Sequence, residues 1–281
     1  MRWPYSLFLV SVCLLCCLRQ PTDEPPVNYT YWDVAPAWSN AGDRIAFSGP
    51  GFRDSIFTWV LYMVDTNGAD RTLLSVGGAY PTWVPGDTAI IFHKPDFKLY
   101  YLNLTTMQES LLCDCVDARF AEMAVDGKTF YYEDYGVANN WATSIYRMDL
   151  TTGDTTHIVG GTFPSVSSSG RYLLLSRHKV YRYDLVTDSE IVVFSPGDAA
   201  LYDWSPDGNE VLVGNPLVAG YQYKIFKVKP DGTSARYFTL GKDPKYSPNG
   251  SRIALVRPSP DGKDHVWLIS PDGSNAKQIT F

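Results

Sequence analysis

One short pattern recurs along this chain and constrains it more than anything else in the sequence. Its clearest copy is Tyr202-Asp203-Trp204-Ser205-Pro206-Asp207-Gly208-Asn209, followed at once by the apolar run Val211–Val213. A second copy is Pro244-Lys245-Tyr246-Ser247-Pro248-Asn249-Gly250-Ser251, followed by Ile253–Leu255. Degenerate copies end at Gly42, Gly86, Gly127 and Gly170. Successive turn glycines therefore lie roughly 40 residues apart, a period typical of stacked structural repeats. After each glycine comes a buried-type strand (Ile45–Phe47, Ile90–Phe92, Phe130–Tyr132, Leu173–Leu175, Val211–Val213, Ile253–Leu255). A third run follows, such as Leu99–Asn103 or Val180–Asp184, and a further tight turn leads to a fourth, as in Asp272-Gly273 before Lys277–Thr280.

Four short antiparallel runs per repeat, joined by glycine turns that reverse the chain, describe one four-stranded sheet. No amphipathic helical run of useful length interrupts them. A single such sheet cannot bury both of its faces, but a closed ring of them can. The expected fold is all-β, a six-bladed β-propeller of four-stranded antiparallel blades over 31–281. Blade limits fall near 31–78, 79–117, 118–161, 162–198, 199–243 and 244–281. Trp38, Trp83, Trp204 and Tyr246 occupy one column of the repeat and are expected to pack between blades.

The Ser-Pro-Asp-Gly turn, its apolar strand and the closing Asp-Gly…Thr strand resemble the propeller repeats of the TolB family. Ser205–Gly208 with Asp231-Gly232 and Tyr237-Phe238-Thr239 match well, as do Ser247–Gly250 with Asp272-Gly273 and Ile279-Thr280. The likeness covers almost the whole of 31–281. It implies a TolB-like, WD40-like propeller in the cell envelope that acts by binding; such propellers serve many roles, so it is specific for fold and not for activity.

The first 18 residues read as an export signal: Arg2 supplies the charge, and Ser6–Leu18 is an apolar run too short to span a bilayer comfortably. The run ends in Leu14-Leu15-Cys16-Cys17, which resembles a lipoprotein signal with Cys17 as the lipidated residue. An uncleaved anchor or plain secretion is the competing reading. Residues 19–30, rich in proline, read as a tether. The expected location is exported, either periplasmic or held at the membrane as a lipoprotein through this segment alone. Cys113 and Cys115 are either a local disulfide or two thiols, and their spacing does not suit a metal. A formal charge of -6 and a pI near 5.2 argue against nucleic acid, whose binding needs a positive field.

Two candidate sites follow from the repeat. Loops between second and third strands share one end of the ring, and three of them are long and aromatic: Ser48–Trp59, Glu133–Thr143 and Gly214–Tyr223. Phe57, Trp59, Tyr135, Trp141, Tyr221 and Tyr223 are the expected partner- or ligand-binding face, since long loops on a rigid scaffold and their aromatics favour recognition. The second is the central channel, where Arg119, Glu122, Asp203, Asp243 and Lys245 bring mixed charge close together. That cluster would suit a small polar ligand or a cation such as calcium; no other cofactor is implied.

The expected function is a non-catalytic envelope scaffold that binds a protein partner or a small polar ligand. The alternative is a propeller enzyme of lyase or lactonase type with a polar or metal site at the channel mouth. No nucleophile elbow is present. His93, His157, His178 and His265 fall in different blades without metal-ligand spacing, and are expected to be solvated loop residues.

Overall fold

The computed structural model describes residues 33–53, 56–115, 117–136, 143–195, 201–216 and 223–281. Cys17, Trp141 and Tyr221 lie outside the described residues. Six four-stranded antiparallel sheets follow one another along the chain, each built from four consecutive strands. The first strands are Val34–Trp38, Ala79–Trp83, Ala118–Met123, Thr162–Val166, Tyr202–Trp204 and Lys242–Tyr246. Among the described residues there is no helix, so the expected all-β propeller is the observed one.

The apolar second strands show why the ring must close. Side chains of a strand alternate between its two faces, and here each face meets a different neighbour. Ile45 and Phe47 of blade one pack with Ala254, Val256, Val266 and Leu268 of blade six. Ala46, the residue between them, packs instead with Trp83, Ile90 and Phe92 of blade two. Six such clusters, one at every seam, replace a single core. Both faces are therefore dry, and the strands read as continuous apolar runs rather than alternating ones. Each fully buried Ile, Leu or Phe stabilises the ring by about 1.5–3 kcal/mol.

Polar stitches fix the seams. The indole N–H of Trp83 donates to the carbonyl of Ala37 at 3.0 Å, that of Trp204 to Ser165 at 3.1 Å, and that of Trp38 to Lys245 at 3.1 Å. The aromatic column thus ties each of these blades to the one before it. The turns interlock as well: the prolines of the Ser-Pro-Asp/Asn-Gly turns, Pro206 and Pro248, sit against Gly250 and Gly42 of the next blade. Blades one and six close without a shared strand. Asp33 instead donates its backbone N–H to the Asp264 carbonyl at 3.0 Å, while its buried carboxylate accepts from Thr280 and lies 3.4 Å from His265 Nδ1. The second nitrogen of His265 meets Asp261 at 3.0 Å.

Two sequence expectations are corrected. Ser48–Trp59 is not a loop: the ladder of blade one continues through Gly49↔Val60 to Arg53↔Ile56. Pairing continues five residues past Ser48, so the hairpin reaches roughly 17 Å beyond it. Nor are all histidines solvated. His265 is buried at the closing seam, and His93 stacks on Tyr80 at 5.3 Å, whereas His157 and His178 are exposed. Cys113 and Cys115 are joined as a disulfide, with Cα atoms 5.2 Å apart.

Candidate functional site

Every first strand carries, or in blade five directly follows, one residue in the left-handed region: Ala35, Tyr80, Phe120, Phe163, Leu201 and Asp243, with φ between 48° and 56°. None is glycine, and such backbone costs on the order of 1–2 kcal/mol per residue. In blades one, two, three, four and six the pairing register shifts at this residue, which marks a bulge. A bulge bends its strand and re-aims a side chain. The six re-aimed residues form a collar around one end of the central channel, lining a pocket with about 540 Å³ of empty space including its open mouth.

The collar is uneven. Tyr80, Phe120 and Phe163, from blades two to four, form a continuous arc with edge-to-face centroid separations of 4.3 Å and 4.5 Å. Leu201 and Ala35 extend it, and Asp243 of blade six stands alone as the acid. Its Oδ2 accepts the backbone N–H of Ala35 at 3.0 Å. Burial pushes its carboxyl above the usual range, against the pull of that hydrogen bond and of Lys242.

Residues at one equivalent place in the second strands hold the collar from behind. The Ser48 hydroxyl accepts the N–H of Tyr80 at 2.9 Å, and Glu133 Oε2 accepts that of Phe163 at 3.0 Å. His93 holds the equivalent place in blade two, and its Nδ1 is buried without a hydrogen-bond partner. Burial, helped by nearby Arg119, lowers the His93 pKa to about 4. Burial raises that of Glu133 to about 7.

Deeper in the channel, Lys245 Nζ lies 3.2 Å from Asp203 Oδ1 and 3.6 Å from Glu122 Oε2, linking blades six, five and three. Burial pushes both carboxyls up against the pull of Lys245; burial also pulls Lys245 down, but the two acids together outweigh it and hold Lys245 above its usual value. Of the five charged residues singled out in the sequence, Glu122, Asp203 and Lys245 therefore share one contact group. Asp243 belongs to the collar above them. Arg119 is separate, bonded to Asp117 at 2.7 and 3.0 Å and set over the Phe97 ring.

The aromatic face is partly placed. Phe57 is 50% exposed and meets Trp59 edge-on at 5.8 Å, near the end of the blade-one hairpin. Tyr135 is exposed on blade three. Tyr223 is half-buried at the seam between blades five and six, with Lys242 Nζ 5.6 Å from its ring centre. Sequence reasoning missed the collar aromatics Tyr80, Phe120 and Phe163. The recurring proline just after the left-handed residue (Pro36, Pro81, Pro164, Pro244) is the signal that could have found them.

No protein-family model and no curated protein sequence matches the chain. Solved structures do. TolB from Acinetobacter baumannii superposes with a TM-score of 0.70 at 19% identity, over 85% of this chain and 63% of that one. The chain thus spans less than two thirds of that protein's length. A putative TolB from Agrobacterium tumefaciens gives 0.64 at 18% identity, covering 75% of this chain and 84% of the other. An oligogalacturonate lyase in complex with manganese gives 0.56 at 15% identity, covering 87% and 76%. Likeness at these identities speaks for architecture, and with the repeat and the six closed seams it establishes this chain as a six-bladed β-propeller of TolB-like fold.

Proposed function

We propose that the protein is an exported binding scaffold of the cell envelope, which presents the loop end of its propeller to a protein partner. The observation that carries this reading is the pairing of two features on the second-to-third-strand side: an open collar of re-aimed aromatics, and a long blade-one hairpin bearing half-exposed Phe57 beside Trp59. Aromatics on rigid strands lose little entropy on contact and are common interface anchors. The signal-like N-terminal sequence and the TolB likeness support the location, and lipidation at Cys17 would tether the scaffold to a membrane surface.

The test is affinity capture from the native envelope with full-length protein. Replacing Phe57 and Trp59 together by alanine should reduce recovery of the partner at least tenfold, since a hot spot contributes about 2 kcal/mol or more, while the melting temperature holds. Undiminished recovery with an intact fold would overturn the reading.

One observation favours a second reading, a propeller enzyme. His93 and Glu133 both neighbour Tyr80, and their pKa values are displaced in opposite directions, the kind of divergence that acid–base chemistry exploits. Turnover of a uronate or lactone substrate that disappears in both His93→Gln and Glu133→Gln would favour it over the scaffold. Absence of turnover with and without added manganese or calcium would count against it.

A further inference from the structure

The collar has a chemical asymmetry that points to a particular ligand, and the inference drawn from it rests on the scaffold reading above. In a six-membered ring of blades, blade six stands opposite blade three. Asp243 therefore faces the aromatic arc across the mouth, with Phe120 at the middle of that arc. The charges around Asp243 do not cancel. Lys242 is paired with Asp264 at 2.8 Å, and Lys245 is shared between Asp203 and Glu122. Four carboxylates thus stand against two lysines, one of the two in excess belonging to the deeper Lys245 group and the other, Asp243, lying at the mouth, where field lines are focused by low-dielectric walls.

The form of the cation follows from the same contacts. Asp243 has committed Oδ2 to the N–H of Ala35, so a planar guanidinium would not find both oxygens free for its fork. A compact ammonium needs only one. Faces of Tyr80, Phe120 and Phe163 attract a cation and also cover an apolar stem. We propose that the collar receives a lysine side chain from the protein partner, its ammonium at Asp243 and its methylenes along the Phe120 arc.

The probes are Nα-acetyl-lysine methylamide, the isosteric but uncharged norleucine derivative, the arginine derivative and n-butylammonium, each titrated into full-length protein by saturation-transfer NMR. The lysine probe should bind at least tenfold more tightly than norleucine. Asp243→Asn keeps an acceptor for Ala35 and tolerates the left-handed backbone; it should erase that preference. Leu201→Lys supplies an ammonium from the chain itself and should block the probe, giving a second route should the first variant not fold. Equal binding of norleucine, or an unchanged preference in Asp243→Asn, overturns the proposal. Tighter binding of the arginine derivative overturns the choice of ammonium, and tighter binding of n-butylammonium overturns a partner protein as its source. Envelope capture separates the two readings: dependence on Phe57 and Trp59 without lysine binding leaves the scaffold standing alone. Lysine binding without any captured partner removes the scaffold reading.

Discussion

Glu133 shows how a single buried carboxyl can couple stability to pH. Its folded pKa of about 7 lies above the ordinary 4.5 because burial disfavours its charge. The folded state therefore holds the proton more tightly than the unfolded chain, and stability falls as pH rises from about 4.5 through 7. Glu133→Gln, which can still accept the Phe163 N–H, should be nearly neutral at pH 4.5. At pH 8 it should stabilise the protein by up to about 3 kcal/mol, measured as the difference between urea denaturation curves at the two values. His265 acts in the same direction by another cause. Its hydrogen bond to Asp33 leads in raising its pKa, so its contribution is full below 6.5 and is lost as pH climbs through the raised value. His93 opposes both: with a folded pKa of about 4, it withdraws stability as pH falls below 6.5. None of these shifts was legible in the sequence, where all three residues simply follow or begin strands. Burial created them, and burial depends on the neighbouring blade.

The strands carry a different lesson. Gly241 enters the first strand of blade six with φ +140, and an added Cβ would lie 2.9 Å from both Leu255 Cδ1 and the Val256 carbonyl. Gly241→Ala should cost at least about 2 kcal/mol through strain and overpacking. At Gly153, φ is +75 but nothing stands within 4 Å, so Gly153→Ala should cost only about 1 kcal/mol. Thermal denaturation of the two variants side by side distinguishes crowding from backbone strain. Trp204→Phe should cost about 1–3 kcal/mol, because the buried Ser165 carbonyl loses its indole donor. The Trp column was visible in the sequence as a packing column, since an aromatic recurs before each clear turn. That three indoles also donate across the seam was not, because a repeat specifies what a residue is and not which carbonyl it will meet. The long hairpin of blade one was misread for a related reason: glycine and proline at Gly49–Gly51 resemble a loop, yet pairing with Trp59 and Val60 continues through them.

Closure concerns the ring as a unit. Asp33 and Thr280 belong to opposite ends of the propeller, and their contact, with His265 beside it, joins the first blade to the last. Asp33→Ala should cost about 2–4 kcal/mol, because buried hydrogen-bonded partners lose their acceptor, and His265 should lose the leading cause of its raised pKa. Asp231→Ala, in an exposed turn, should cost less than about 1 kcal/mol. Equilibrium unfolding of both, with NMR titration of His265, checks the pair. The number of blades and the strands within each followed from a period of apolar runs and glycine turns. That pattern is local, and a sheet needing cover on both faces has few solutions besides a ring. The collar, the place of Asp243 within it and the contact distances among Lys245, Glu122 and Asp203 did not follow from it. They join residues from different blades, whose separation in space depends on how six twisted sheets settle against one another. No pattern within one repeat encodes that distance.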